Sequence, residues 1–509
     1  MSEKVDPAGR LHAQTINSDH LNFSKHPPSE QRRISASIGG SYKLALSALL
    51  CAFLASCGSG GGGGSTGVFE QEGLVITSAG DTDGLISDTQ MDECGVPQLN
   101  AWVDASMRDY YLFYDQVPQV DLADFDSPEQ LIRTLRVQPF DNFSNVTDTT
   151  SSVAFFDEGV GFGVGFFWRR DEDGEARIIF AQEDAPSARA GMRRSDIIVA
   201  VAGIPWGELD AFTFEQVTGT REAPLEARWD MISGETGEAY SVNVTSAEYN
   251  LNTVLHTEML THPNYAGLIG YLAFSSFIET SEGELQNAFA EFQEAGVSDL
   301  ILDLRYNGGG RTRIARMLAA LIASPATDNQ LLIDYQYNDN YQNQNFARFF
   351  EAEENGLGLS RVIVLTTNST ASSSEIVINS LKPYIEVVTV GGTTVGKPYI
   401  SSGRDFCEKR INALEAEGFN ASGVSVFGGI AADCHAVDDL TRDFGLESGG
   451  IEGMLESGAD YIVFGSCDTA PVLAKSNETA AAFASKGASP ILNDRMQPVL
   501  AEDSNARAE

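Results

Sequence analysis

The chain has 509 residues, 42% of them hydrophobic and 21% charged, a composition typical of a globular protein with apolar material for several cores. Its formal net charge is −39 at pH 7. Nucleic-acid binding requires clustered Lys and Arg, so this balance argues against DNA or RNA as a partner.

Residues 1–57 have the pattern of an export signal. Lys43 precedes the apolar run "LALSALLCAFLA", which is shorter than the roughly 20 residues that span a bilayer. The run ends in "LASC", which resembles the lipobox of bacterial lipoproteins, with Cys57 as the lipid acceptor. Gly58 after this cysteine favours the outer membrane, so we expect a lipid-anchored protein of the cell envelope that faces the periplasm. A plain signal peptide and a buried helix with an incidental cysteine remain alternatives.

Residues 58–91 form a Gly/Ser/Asp-rich linker. Once Cys51 and Cys57 are set aside, the remaining cysteines are even in number, which suggests disulfides in an exported protein. Three connectivities are open, and we favour Cys407 with Cys434, which leaves Cys94 with Cys467. The chain lacks CxxC and His-rich spacing, so the sequence predicts neither a metal nor another cofactor.

Residues 92–148 are predicted to be helical. The stretch "LNAWVDASMRDYYLFYDQVP" has aromatic and aliphatic residues at helical spacing, and "SPEQLIRTL" has Ser127 as a cap and Pro128 in the first turn. The aromatic stripe is typical of a core-facing surface.

Residues 149–248 are predicted to form a β-rich domain. The pair Asp173 and Gly174 marks a hairpin turn, "APSARAG" a short helix closed by Gly191, and "DIIVAVAG" a strand that ends in a turn. The series resembles a PDZ domain. Such a domain adds a peptide as an extra strand and binds its terminal carboxylate with backbone N–H groups, which the resemblance places at Gly161, Phe162, Gly163 and Val164. The alternative is a purely structural β domain.

Residues 249–469 are predicted to alternate between strands and helices. Residues 470–509 are predicted to form a peripheral tail. The continuous apolar runs in "DLILDLRY", "RVIVLTT" and "IEVVTV" are typical of strands covered on both faces. Helical patterns separate these strands, so the sequence predicts an α/β domain with mostly parallel pairing.

Two of the loops that connect a strand to the next helix in this domain have an unusual composition. "NGGGR" places Gly308, Gly309 and Gly310 where a strand meets a helix, so backbone N–H groups can approach a ligand closely. "TNSTASSSEI" places serines at another strand-to-helix junction. Together they are able to supply an oxyanion hole and a nucleophile, although helix capping alone also explains the serines.

The loop after a third strand, "VGGTTVGKP", contains most of the phosphate-binding P-loop motif, namely Gly391, Gly396 and Lys397. Pro398 opposes that interpretation because it lacks the hydroxyl that binds magnesium and the N–H that binds phosphate. The uncharged neighbours of Lys397 instead suit a desolvated lysine that acts as a base.

The chain resembles the carboxyl-terminal processing (tail-specific) peptidases. The resemblance is carried by three motifs that follow the PDZ-like domain in this order: "LILDLRYNGGG", "TASSSEI" and "VGGTTVGKP". The resemblance implies an α/β multidomain fold: a crotonase/ClpP-like α/β catalytic domain, a PDZ-like β-rich domain and an N-terminal helical segment. It also implies a serine endopeptidase that acts on protein or peptide substrates. Ser372 would be the nucleophile and Lys397 the general base, with oxyanion donors at the backbone N–H groups of Gly309 and Ser373, and at Gly308 or Gly310.

One departure concerns the residue four positions after the lysine. Relatives often have glutamine there to orient the lysine, whereas this chain has Ser401. Ser401 is therefore either a weaker orienting residue or the mark of a peptide-binding scaffold with reduced activity. His256 is the alternative catalytic candidate, although a structural role in its strand is favoured. Asp438 and its acidic neighbours are predicted to be a solvated face, and the sequence sets no oligomeric state.

Overall fold

The structure is a computed structural model that describes residues 24–25, 94–447 and 450–467. Cys57, the linker of residues 58–91 and the tail of residues 470–509 lie outside these ranges. Of the predicted signal peptide, only the strand β1 (Ser24–Lys25) is described, and it pairs with a strand of the main sheet. No helix within the described ranges is long and apolar enough to cross a membrane.

The first described segment is helical, as predicted. Its elements are α1 (Val96–Asp109), α2 (Pro128–Leu135), β2 (Asn145–Asp148) and α3 (Thr149–Phe156), with 3-10 turns at Tyr114–Gln116 and Leu122–Asp124. Ser127 caps α2 by accepting the N–H of Gln130 at 3.2 Å, which satisfies a donor that the first helical turn leaves open. Val103, Met107 and Tyr111 are fully buried, so the aromatic stripe faces a core.

The second domain is built mainly of antiparallel strands. Its elements are β3 (Val160–Gly163), β4 (Phe166–Arg170), β5 (Ala176–Ala181), α4 (Pro186–Arg189), β6 (Ile197–Val201), β7 (Ile204–Pro205), a 3-10 turn at Trp206–Glu208, α5 (Ala211–Thr218), β8 (Glu226–Ile232), β9 (Ala239–Thr245) and β10 (Ala247–Asn250). The sheet order is β4-β5-β6-β8-β9, with β7 on β6, while β3 and β10 form a separate pair. Gly174 has φ +84° in the predicted turn between β4 and β5.

The third domain contains the largest sheet. Its elements are β11 (Val254–His262), β12 (Tyr265–Phe274), α6 (Ser281–Ala295), β13 (Val297–Asp303), α7 (Thr312–Ala323), β14 (Leu331–Tyr337), a 3-10 turn at Gln342–Gln344, β15 (Phe346–Phe349), β16 (Arg361–Thr366), α8 (Ser373–Leu381), β17 (Glu386–Gly391), β18 (Tyr399–Ile400), β19 (Arg404–Phe406), β20 (Lys409–Asn412), β21 (Ala416–Phe419), β22 (Cys434–His435), β23 (Leu446–Glu447), β24 (Gly450–Ile451) and α9 (Gly453–Phe464).

Seven strands form the main sheet in the order β1-β11-β12-β13-β16-β17-β22. Pairing is antiparallel up to β12 and parallel from β12 to β22, which confirms the predicted mostly parallel arrangement. Leu300 and Leu302 face the core under α6, α7 and α8, whereas Ile301 faces the core under α9. Both faces of these strands are therefore covered, which explains their continuous apolar sequence.

The third domain contributes to two smaller sheets, and one of them includes a strand of the N-terminal segment. The strands β15, β14, β21 and β18 form an antiparallel sheet, and β19, β20 and β2 form another. Because β2 comes from the N-terminal segment and β20 follows the lysine loop, this pairing holds the N-terminal segment against the third domain.

The disulfide prediction is wrong. The structure pairs Cys94 with Cys407 and Cys434 with Cys467, rather than Cys407 with Cys434. Cys407 lies at the turn between β19 and β20, next to the start of the N-terminal helices, whereas Cys434 lies on β22 at the edge of the main sheet. The folding of the chain therefore separates two cysteines that are close in sequence.

A buried polar cluster joins the second domain to the third. The Tyr306 hydroxyl accepts a hydrogen bond from Arg194 at 2.8 Å and donates to Asp438 at 2.8 Å. Arg305 pairs with the same carboxylate at 2.9 Å. Burial alone would raise the pKa of Asp438, but the guanidinium groups of Arg305 and Arg194 outweigh it and hold the pKa below its ordinary value. The predicted solvated face is thus an internal ion cluster at Asp438.

Candidate active site

Hydrogen bonds connect the glycine loop after β13 to the serine loop after β16. Both strands end at the same edge of the parallel sheet, where ligands bind in open α/β sheets. The carbonyl oxygen of Asn307 accepts the N–H of Ala371 at 3.1 Å and the hydroxyl of Ser374 at 2.8 Å. The Ser373 hydroxyl donates to the carbonyl of Gly310 at 2.7 Å. The two predicted motifs therefore form one surface.

Ser372 stands directly before α8 in a strained backbone conformation. Its φ is +55° and its ψ −115°, a conformation that costs a non-glycine residue about 1–3 kcal/mol. Its side chain is partly exposed, whereas Ser373 and Ser374 are fully buried and hydrogen-bonded to the glycine loop. Ser372 is therefore the serine of this run that a substrate can reach.

The Glu375 carboxylate holds the serine loop and the lysine loop together. Its Oε2 accepts the backbone N–H of Ser372 at 2.8 Å and that of Lys397 at 2.9 Å. Its Oε1 accepts the Thr394 hydroxyl at 2.5 Å and the Gly396 N–H at 2.7 Å. Glu375 is fully buried, and this burial raises its pKa against the opposing effect of the hydrogen bonds. Ser372 and Lys397 thus lie within the reach of one carboxylate.

An aromatic ring faces the Lys397 side chain. Its Nζ is 5.5 Å from the centroid of the Phe143 ring, and within the described residues it makes no hydrogen bond or ion pair. Burial lowers the pKa of Lys397, while the carboxylates of Asp141 and Glu375 partly oppose that change. A larger fraction of this amine is therefore neutral near neutral pH than for an exposed lysine, as a general base requires.

The glycine loop only partly matches the predicted oxyanion hole. The N–H of Gly309 donates to Oδ1 of Asn307 at 2.9 Å, so in this conformation it is not available to an oxyanion, contrary to the prediction. The N–H groups of Gly308, Gly310 and Ser373 make no hydrogen bond with any described residue, so they remain candidates for this role. Gly309 leaves no room for a side chain next to Ser372, because a Cβ added there would lie 2.8 Å from Cβ of Ser372.

Two other predicted site residues lie apart from these contacts. Ser401 makes no hydrogen bond in the described part of the chain, so the structure gives no contact through which it orients Lys397. His256 contacts Glu258 at 3.3 Å and packs against the Tyr271 ring, an arrangement that suits a structural role. The described residues also contain no cluster of His, Cys, Asp and Glu that is suited to a metal ion.

The predicted peptide-binding residues divide between a pair of strands and a loop. Gly161, Phe162 and Gly163 lie on β3 and pair with β10. Val164 is buried in the following loop, next to β4. Strand β4 is at the edge of its sheet and has one side without a partner strand in the described residues, which is where an added peptide strand would pair.

Sequence reasoning did not assign roles to Glu375, Asn307 or Phe143. Glu375 was visible as the acidic residue of "SSSEI", but its hydrogen bonds to the lysine loop depend on contacts between distant segments. Asn307 was visible in "YNGGG", yet its side-chain contact depends on the loop conformation. Phe143 is far from Lys397 in sequence, so no local pattern connects them.

Comparisons with known proteins identify two family domains. Residues 268–436 match the model of peptidase family S41, and residues 98–145 match the S41 peptidase N-terminal domain. The first match contains Gly309, Ser372 and Lys397, and the second contains Phe143.

Individual relatives are similar over part of their length. A carboxyl-terminal-processing protease of Synechocystis sp. is 25% identical over 283 residues, which cover 55% of this chain and 60% of that protein. The carboxy-terminal processing protease CtpA of Bacillus subtilis is 25% identical over 265 residues, 51% of each chain. The chain thus spans between half and two thirds of the length of these relatives. A crystal structure of a putative S41 protease from Bacteroides fragilis has a similar fold, with a TM-score of 0.55 and 24% identity over 66% of this chain and 90% of that one.

Proposed function

The chain carries the two domains of peptidase family S41, and from that premise we propose that it is a serine endopeptidase that hydrolyses peptide bonds in unstructured protein segments. Ser372 is the nucleophile and Lys397 the general base. The observation that supports this assignment best is the Glu375 carboxylate, which accepts the backbone N–H groups of both residues.

The proposed reaction needs only groups of this chain and water. Neutral Lys397 takes the proton of the Ser372 hydroxyl while Oγ attacks the carbonyl carbon of the scissile bond. The N–H group of Ser373 and one N–H of the glycine loop stabilise the oxyanion. The Lys397 ammonium then gives its proton to the leaving amine, which departs and leaves an ester on Ser372. Lys397 next deprotonates a water that attacks this ester, and the Lys397 ammonium returns that proton to Oγ of Ser372 as the carboxylic acid departs.

Degradation of an unfolded protein tests the proposal. Casein is incubated with the purified protein and with the variants Ser372→Ala and Lys397→Met, and fragments are followed by mass spectrometry. The matched controls Ser422→Ala and Lys382→Met change the same residue types at exposed positions. We expect cleavage by the unchanged protein and both controls, and loss of cleavage in the two site variants. Equal activity in all five proteins would refute the assignment.

We further propose that the second domain selects substrates by their C-terminal tails. The supporting features are the unpartnered edge of β4 and the loop at Val164 that precedes it. A pair of peptides that differ only in a free or amidated C-terminus tests this, because amidation removes the carboxylate that the backbone N–H groups would bind. Preference for the free acid is the expected result, and equal binding of both peptides would refute tail selection.

A catalytically weak peptide-binding scaffold is the second candidate. Two observations favour it: Ser401 replaces the family's glutamine without contacting Lys397, and the Gly309 N–H is occupied by Asn307. This candidate predicts peptide binding without turnover in the casein assay. Binding by the Ser372→Ala variant at unchanged affinity, together with turnover by the unchanged protein, would rule it out.

The envelope location is proposed from the N-terminal sequence alone. Cys57 after "LAS", followed by a Gly/Ser-rich linker, supports a lipid anchor that tethers the catalytic domain to the outer membrane. Metabolic labelling of a bacterial host with tritiated palmitate tests it: we expect label on the unchanged protein and none on Cys57→Ser. Equal labelling of both proteins would indicate that the lipid is attached to another residue, and absence of label on both would refute the lipid anchor.

A further inference from the structure

A fully buried carboxylate of the N-terminal segment lies two residues before the aromatic ring that faces the lysine. Asp141 has no exposed surface, and its Oδ1 accepts the backbone N–H groups of Phe143 at 2.7 Å and Ser144 at 2.8 Å. Its Oδ2 has no hydrogen-bond partner in the described part of the chain. A buried, half-satisfied carboxylate is costly unless another charge compensates it.

The turn at Asp141 also places an aromatic ring on the lysine. Asp141 fixes the backbone of Phe143, and the Phe143 ring centroid lies 5.5 Å from Nζ of Lys397. The turn that Asp141 stabilises therefore carries the ring that faces the lysine. The pKa of Lys397 responds to this arrangement, since burial lowers it and the Asp141 carboxylate is the main opposing influence.

Other charged and titratable groups face the same region. Glu375 accepts the backbone N–H of Lys397 and acts on its pKa in the same direction as Asp141, whereas Arg136 acts against both. The Tyr111 hydroxyl also lies near Asp141 without an aligned hydrogen bond to Oδ2, and it accepts the N–H of Val137 at 3.1 Å. Among these groups, Asp141 combines full burial with an unpartnered oxygen.

We propose that Asp141 is a positioning residue that stabilises the Lys397 ammonium formed during catalysis and takes the orienting role that Ser401 does not fulfil. This inference rests on the proposed Ser372 and Lys397 chemistry. When the Oγ–H bond of Ser372 breaks and an N–H bond forms at Nζ, a positive charge appears in a site with little solvent. Oδ2 of Asp141, which has no hydrogen-bond partner in the described residues, then attracts the new charge, and this attraction ends when the proton leaves with the amine.

Titration of Lys397 without substrate tests the inference independently of peptidase activity. The protein is labelled with [ε-¹³C]lysine, and the Lys397 signal is assigned with the Lys397→Met variant. Asp141→Asn keeps an oxygen acceptor for Phe143 and Ser144 but removes the charge, so we expect the Lys397 midpoint to fall by roughly 1 pH unit.

A chemically similar aspartate in the second domain provides the control. Asp196 is also buried and accepts the N–H groups of Arg193 and Gly234, each at 2.9 Å. Asp196→Asn makes the same change in charge outside the site, and we expect no shift of the Lys397 midpoint. Equal midpoints in Asp141→Asn and Asp196→Asn would overturn the inference.

Two further measurements separate positioning from a structural role. The rising limb of the kcat/KM profile is expected to move to lower pH in Asp141→Asn, with about a tenfold loss at the plateau, the factor that one pKa unit represents. A purely structural effect would lower the plateau of kcat/KM and leave its rising limb at the same pH.

If Asp141→Asn does not fold, a crystal structure of the unchanged protein provides the test, with crystals held at a pH below the titration midpoint of Lys397. We expect Nζ within hydrogen-bond distance of Oδ2, and an ammonium turned to solvent would overturn the inference.

Discussion

The backbone N–H groups of Ser372 and Lys397 donate to the same carboxylate oxygen, Oε2 of Glu375, at 2.8 and 2.9 Å. Residues that are distant in sequence are thereby fixed on either side of one fully buried acceptor. Since Ser372 has φ +55°, its hydrogen bond to Glu375 helps to hold a conformation that the backbone of a non-glycine residue disfavours.

Replacement of Glu375 is expected to affect stability and activity together. Glu375→Gln replaces one accepting oxygen with an NH₂ group. Two buried N–H or hydroxyl groups that donate to this oxygen then face a group that cannot accept their hydrogen bonds. Each unsatisfied buried donor costs about 1–3 kcal/mol, so we expect a lower free energy of unfolding and a loss of peptidase activity. Urea unfolding and casein cleavage measure the two effects. Unchanged values in both assays would show that the Glu375 contacts do not organise the site.

Gly309→Ala is expected to remove activity and to lower the free energy of unfolding, because the added Cβ would also lie 2.9 Å from backbone atoms of Ala371 and Ser373. The added Cβ would lie 2.8 Å from Cβ of Ser372, at a φ of +104°. Displacement of the nucleophile from its oxyanion donors is expected to lower kcat by about 10²–10³, the effect of losing one such donor.

Gly423→Ala is the matched control for backbone strain. Gly423 has φ +71° and open space around it, so alanine there introduces the strain without the contact. We expect nearly full activity in this variant. A similar loss in both variants would attribute the effect of Gly309→Ala to strain alone.

The activity is expected to rise with pH through the pKa of Lys397. Only the neutral amine accepts the Ser372 proton, and burial places the pKa of Lys397 below its ordinary value. The rising limb of kcat/KM should therefore have its midpoint below ~10.4, the value for an exposed lysine. Stopped assays with a fluorogenic peptide across a pH series measure it, and a midpoint at or above that value would contradict a desolvated base.

The disulfide between Cys94 and Cys407 is expected to contribute more stability than that between Cys434 and Cys467. Their sequence separations are 313 and 33 residues, and the chain-entropy model assigns roughly 2 kcal/mol more to the longer loop. Urea unfolding of Cys94→Ser/Cys407→Ser and of Cys434→Ser/Cys467→Ser compares them. A larger loss in the second double variant would contradict the entropic ranking.

Periodicity and turn residues predicted much of the fold. The apolar runs at β13, β16 and β17 indicated strands covered on both faces, and the Asp173 and Gly174 pair indicated a hairpin. These features depend on local sequence, in which burial and turn geometry leave a direct pattern. The cysteine pairing was not predictable in this way, because it depends on where the chain brings β20 and β22.

The sequence predicts candidate site residues but not their surroundings. The order of the glycine, serine and lysine motifs indicated Ser372 and Lys397, whereas the occupied Gly309 N–H depends on the rotamer of Asn307. Asp141 and Phe143 reach Lys397 through packing of the N-terminal segment, and a single sequence contains no periodic signal for such a contact.

The most direct test of the central claim is a double-mutant comparison of kcat/KM for peptide cleavage. The unchanged protein, Ser372→Ala, Lys397→Met and the double variant are measured on one peptide under the same conditions. If Ser372 and Lys397 act as one unit, each single variant loses about as much activity as the double variant. Residual cleavage by Lys397→Met close to that of the unchanged protein, or losses that multiply in the double variant, would contradict the account.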